Sequence, residues 1–206
     1  MARDDWYRNE IWNEKIETEF QQRLRRARGK SQYLRIQANY LAEIYPLVAL
    51  RLLDQYFALG DRIDMAQAHV DRANALKALN DNEGALASFE AALEREQAYP
   101  SWETQAFLDF ACLIADARLE QMYARGIEVL DANKARTIFP EERYRANGAR
   151  ALLLQALGRG EEARAAACAA VAAANEVQSG FRYHQKLGLV KDVNDDFGAR
   201  VAALAR

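Results

Sequence analysis

Four times along its 206 residues the chain puts a small residue just inside a second helical stretch that follows a first stretch and a turn. The clearest copy runs from Ala73 through the turn Asn80-Asp81-Asn82-Glu83-Gly84 to Ala85, Phe89, Ala92 and Leu93. A second runs from Ala151 and Leu154 through Gly158-Arg159-Gly160 to Ala163, and looser copies centre on Ala49 and Gly126. The small residues are spaced by 36, 41 and 37 positions (49 to 85, 85 to 126, 126 to 163). Periods of this size predict stacked helical hairpins, each unable to bury its apolar face alone. Two helices approach to about 8–10 Å only where the crossing residues are small, so Ala49, Ala85, Gly126 and Ala163 are the expected crossings. The run Ala165–Ala174, broken only by Cys168 and Val171, extends the same close packing.

The three prolines and ten glycines punctuate helical periods, and no strand-like alternation occurs. A first helix is expected from Asp4 to about Arg28, stopped by Gly29, with Ser31 capping a second that ends near Tyr45, before Pro46. Pro46 suits the first turn of a third, reaching Gly60. The pair from about Asp64 to Leu79 and Glu83 to Gln97 is the most regular. Ser101 is a cap candidate for a helix carrying Trp102, Phe107, Phe110 and Ile114, with its partner running from Met122 to about Ala135. A last pair follows Pro140, and a closing helix ends near Leu204. The expected organisation is a single all-α domain over 1–206: an N-terminal helix (1–30), about four hairpins (31–180) and a capping segment (181–206).

Half of the residues are hydrophobic and 28% are charged, with a net charge of −2, which fits a folded chain and excludes a globally basic nucleic-acid binder. The opening residues Met1–Trp6 lack the apolar stretch of a signal peptide, and no apolar run of about 18 residues occurs, so no membrane association and a cytoplasmic, reducing location are expected. Heavy use of Ala and Arg hints at a bacterial source. Cys112 and Cys168, in Ala-rich surroundings, are expected as buried free thiols, since no second ligand stands at metal-binding spacing.

The unit from Met65 to Tyr99, with Ala73, Leu76, Asn80-Asp81, Ala85, Phe89 and Ala92, resembles the tetratricopeptide repeat family, as does the unit with Ala151, Leu154, Gly158 and Ala163. The resemblance implies a right-handed superhelix whose first helices line a groove for a peptide or a partner's helix, without a cofactor. Carried onto this sequence, the family's groove positions are Gln67, Val70, Asn74 and Lys77, then Arg145, Gly148, Leu152 and Gln155. Asn74 stands where family members hold a ligand's backbone and Arg145 where some grip a terminal carboxylate. Val70 and Gly148 stand where the full carboxylate clamp needs Lys or a polar residue, so that clamp is not implied.

Two further surfaces stand out. Trp6, Tyr7 and Trp12 place three large aromatics within seven residues, suited either to capping the end of a helical array or to a partner or dimer contact. Arg23, Arg25, Arg26, Arg28, Lys30 and Arg35 form a basic segment without an acid. It reads first as a solvated helix end, then as a docking point for an acidic protein, and least as a nucleic-acid grip. Asp195-Asp196-Phe197-Gly198 shares letters with the kinase magnesium motif, but no Gly-rich or catalytic loop precedes it. His69, expected toward the groove or solvent, and His184 have no nucleophile at motif spacing. No catalytic or metal-binding residues are therefore assigned. The expected function is a non-enzymatic adaptor or regulator that binds a protein or peptide. An immunity or antitoxin protein, or a nucleic-acid-associated regulator, is the alternative, and self-association into a homo-oligomer is another way to cover exposed ends.

Overall fold

In the computed structural model, which describes residues 5–60 and 63–206, ten α-helices are joined by turns and no strand occurs among the described residues. The expected helix start at Asp4 and the leader reading of Met1–Asp4 lie outside the described residues. The chain divides into two compact units, Met1–Ala106 and Phe107–Arg206.

The first unit carries α1 (Glu14–Arg26), α2 (Lys30–Leu41), α3 (Pro46–Ala58), α4 (Met65–Ala78) and α5 (Asn82–Ala98). Helix α2 packs on α3, α3 on α4, and α4 on α5. Ala49 and Ala85 are fully buried, as crossing residues should be, and Phe20, Leu34, Leu52, Leu53 and Tyr56 share one core cluster with Ala49. The α4–α5 turn follows its sequence closely. Asn80 takes φ 59°, which Asn tolerates better than most residues, and Asp81 accepts a hydrogen bond from the Gly84 amide at 2.9 Å.

Three helix starts differ from the sequence reading. Helix α1 begins at Glu14, because Asn13 caps it by accepting from the Ile16 amide at 3.0 Å, and Asp5–Trp12 precede it without helix. Helix α2 opens at Lys30 after Gly29, so Ser31 lies inside the helix instead of capping it. Ser101 and Trp102 precede α6, which starts at Ala106 once Thr104 Oγ1 accepts from the Ala106 amide at 3.1 Å; Trp102 is left exposed.

The second unit contains α6 (Ala106–Asp116), α7 (Tyr123–Ala132), α8 (Pro140–Ala156), α9 (Gly160–Ala174) and α10 (Asp196–Leu204). A Cβ on Gly126 would stand 2.8 Å from Leu153 Cδ1 and 3.3 Å from Ile114 Cδ1, so glycine lets α7 seat against both neighbours. Helices α8 and α9 form the most extensive pairing, with Ala163, Ala166, Ala167, Ala170 and Ala173 buried along one face of α9. Cys168 is on the other face and exposed, contrary to the expected burial, because the alanine run is buried on one side only. Helix α10 lies on α8 and α9. Its cap explains the kinase-like letters, since Asp195 accepts from the Gly198 amide at 2.7 Å.

His69 is half-buried. Its ring packs on Phe57 of α3, with centroids 4.9 Å apart, and burial followed by the charges of Arg72 and Arg95 lowers its pKa below the usual 6.5. The unfolded chain therefore takes up this proton more readily than the folded one. The stability contributed by neutral His69 is complete above its ordinary pKa and is lost as pH falls through the depressed one. Replacing His69 by Gln is expected to flatten the decline of the urea midpoint between about pH 7.5 and about pH 5. Parallel curves for the two proteins would refute that assignment.

Candidate functional site

The polar groups of the first unit converge where α2 meets α4. Arg35 and Asn39 stand four residues apart on α2, and Gln67, Asp71 and Asn74 recur at helical spacing on α4, so each set occupies one face. Asp71 has no exposed surface. Its Oδ2 accepts from Arg35 Nη1 at 3.2 Å, and its Oδ1 accepts from Asn39 Nδ2 at 2.9 Å and Gln67 Nε2 at 3.0 Å. Arg35 Nε also donates to Asp64 Oδ2 at 3.2 Å. Burial pushes the Asp71 carboxyl above the usual range, opposed by Gln67, Arg35 and Asn39. The network thus braces α2 against α4 with a buried carboxylate.

Beside this brace the expected groove residues separate into three kinds. Gln67 is half-buried and occupied by Asp71. Asn74 is half-buried with no side-chain hydrogen bond among the described residues, and Lys77 one turn further on is exposed. Val70 is buried and presents no surface to a partner, because the face it shares with Ala66 and Ala73 is core.

The second unit repeats the brace in reverse. Arg145 of α8 donates from Nη2 to Asp109 Oδ1 of α6 at 2.5 Å, across the same 36-residue separation as Arg35 and Asp71. Beside it Cys112 is partly exposed as a residue, yet burial of its thiol pushes the pKa up to about 11, against the pull of Arg145, so it is a protonated thiol at neutral pH. Arg145 is therefore engaged within the fold. Gly148 is covered by α10, since a Cβ there would stand 2.6 Å from Phe197 Cζ and 3.1 Å from Val201 Cγ2. Leu152 is buried, and only Gln155 of this set is exposed. At Gly148 the expected groove face is thus filled by the chain's own closing helix, because glycine leaves room for a ring.

The N-terminal aromatics pack inward. Trp6 lies against Phe20 and Tyr33 with centroids 5.3 and 4.9 Å away, Tyr7 against Tyr33 at 4.6 Å, and Trp12 is buried against Phe20 with its indole N–H donating to Glu17 at 3.1 Å. Gln37 of α2, itself fully buried, holds this segment. It accepts from the Asn9 amide at 3.0 Å and donates to the Asn9 carbonyl at 2.8 Å. Trp12 is accordingly core and not contact surface, while Trp6 and Tyr7 keep a partly exposed edge. Of the basic segment, Arg25, Arg26, Arg28 and Lys30 are exposed at the α1–α2 turn. Arg35, read with them in sequence, belongs to the buried brace.

Sequence reasoning missed Arg35, Asn39, Asp71 and Asp109. Their signal was present, an Arg and an Asp 36 residues apart in each half, close to the spacing of the small residues. Among the described residues no cluster of three or more His, Cys, Asp or Glu side chains could hold a metal, and no helix is long and apolar enough to cross a membrane. Comparison with known protein families, with curated proteins and with solved structures gives no match to the chain.

Proposed function

We propose that the chain is a non-enzymatic helical-repeat module, related in plan to tetratricopeptide repeats, that binds a protein or peptide through the first-helix face of α2 and α4. The observation that carries this reading is the side-chain amide of Asn74, half-buried on that face, without a hydrogen bond among the described residues and next to the exposed Lys77. A half-buried amide can accept from one backbone N–H of a ligand and donate to its carbonyl, which holds an extended segment without regard to its side chains. Gln37 already makes that pair of bonds to the backbone of Asn9 inside this chain. The buried brace keeps the two helices in register, so the face is preorganised before a ligand arrives. The exposed Arg25, Arg26 and Arg28 add a positive corner that favours the encounter with an acidic partner.

Asn74→Ala combined with Lys77→Glu tests the reading, since neither residue is part of the brace. A protein that co-purifies from the native host with the unmodified chain is expected to be lost from this double variant and retained by Gln155→Ala. Equal recovery with all three chains would remove the α4 face from the interaction. Substitutions of Gln67 or Arg145 are unsuitable, because each is bonded to an acidic residue of the fold.

A further inference from the structure

Outside the α2–α4 face, the second unit contains a cavity of about 280 Å³ between the end of α7, the turn that follows and one face of α8. Arg143, Asn147 and Arg150 enter it from α8 at positions i, i+4 and i+7, which is one stripe of a helix, and Asp131, Lys134 and Thr137 line the opposite side. Three cations, Arg143, Arg150 and Lys134, are set against Asp131 in the lining and Glu176 at its edge, a formal excess of one positive charge. Arg150 is paired with Asp131, and Arg143 donates to Glu176 at 2.7 Å and to the Ile138 carbonyl. Lys134 is exposed and has no ion-pair partner among the described residues. Thr137 donates its hydroxyl proton to the Lys134 carbonyl and Asn147 its amide to the Arg143 carbonyl, both at 2.8 Å, so neither neutral side chain blocks Lys134.

We propose that this cavity binds the phosphate group of a small phosphorylated molecule. This goes beyond the peptide-binding reading and does not depend on it. Ligand pockets run from about 300 to 1,000 Å³, so this one falls just below that range and suits a compact anion in place of a nucleotide or a large cofactor. A phosphate monoester near neutral pH carries between one and two negative charges, close to the local excess, and its oxygens match the forked donors of two arginines. Asp131 occupies Arg150 when no ligand is bound, so it is the internal competitor that an incoming anion must displace.

That competition makes the test sign-specific. Inorganic phosphate and glycerol phosphate, titrated separately into the full chain at low salt by calorimetry, are expected to bind saturably. Lys134→Glu should weaken both by about tenfold or more, and Asp131→Asn should tighten both several-fold by releasing Arg150. Acetate should bind at least about tenfold more weakly than phosphate, because its two oxygens cannot engage both arginine forks and Lys134 at once. Circular dichroism of each variant establishes that it is folded. No saturable binding of phosphate or glycerol phosphate up to about 10 mM overturns the proposal. So do unchanged affinity in folded Lys134→Glu, unchanged or weaker affinity in Asp131→Asn, and acetate binding as tight as phosphate.

Discussion

Replacing Arg35 by Met is expected to destabilise the first unit by about 3–5 kcal/mol, the range seen when one member of a buried ion pair is removed. Methionine keeps much of the apolar stem, so little of the loss would come from a cavity. It comes from Asp71, which has no exposed surface and would face the interior with only the amides of Asn39 and Gln67. An exposed pair behaves differently: Arg72 and Asp54, 3.3 Å apart at the surface, are worth at most about 1 kcal/mol. Urea unfolding at neutral pH with an unchanged slope would measure the loss.

Two companion measurements identify its source. The deficit should shrink toward pH 4, because a raised carboxyl contributes stability that is complete below its unfolded pKa and lost as pH rises through the folded one; without the guanidinium that rise is larger. Arg35→Met with Asp71→Leu should recover most of the loss, since replacing both charges with apolar groups is often neutral. A loss below about 1 kcal/mol in the single variant, or one that does not vary with pH, would show that the pair acts as a surface bridge.

The parts of the fold legible in the sequence are those decided within a few residues. The Asn80–Gly84 turn, the start of α8 at Pro140 and the burial of Ala49, Ala85, Gly126 and Ala163 follow from local backbone preference or from the bare need for a small side chain at a crossing. What was not legible depends on contacts distant in sequence. Trp12 reads first as a cap and second as a contact until Phe20 and Glu17 close on it. The start of α1 is moved to Glu14 by the cap at Asn13, while Gln37, 28 residues after Asn9, holds the segment before it. Arg35 has the same composition as its basic neighbours, and only the position of Asp71, 36 residues later, takes it out of the exposed patch. The candidate site shows the same division. Asn74 and Lys77 follow from groove positions that the family resemblance carries onto α4, whereas the closure of Gly148 required knowing where a helix 48 residues further on would lie.

That closure gives the second large effect. Gly148→Leu is expected to release α10 from α8, with an overpacking cost of about 1–3 kcal/mol. Even a bare Cβ would stand 2.6 Å from Phe197, and the added branches would reach toward Val201, which is fully buried. A helix of nine residues does not hold itself together in water, so α10 persists through what it touches. Those contacts are Phe197 against Tyr144 at 5.7 Å between centroids, Arg200 donating to the Ala115 carbonyl at 2.9 Å, and Val201 in the core. Losing the first makes the others too costly in chain entropy to keep. Amide hydrogen exchange would separate this outcome from general unfolding: residues of α10 should lose protection while α8 and α9 retain theirs. Gly160→Ala, at a helical position where a new methyl meets nothing within 4 Å, should by contrast be neutral or stabilising by up to about 1 kcal/mol. If Gly148→Leu leaves α10 fully protected, Phe197 has room to turn aside. Gly148 would then mark where the helix happens to lie, and the closure of that face would not depend on glycine.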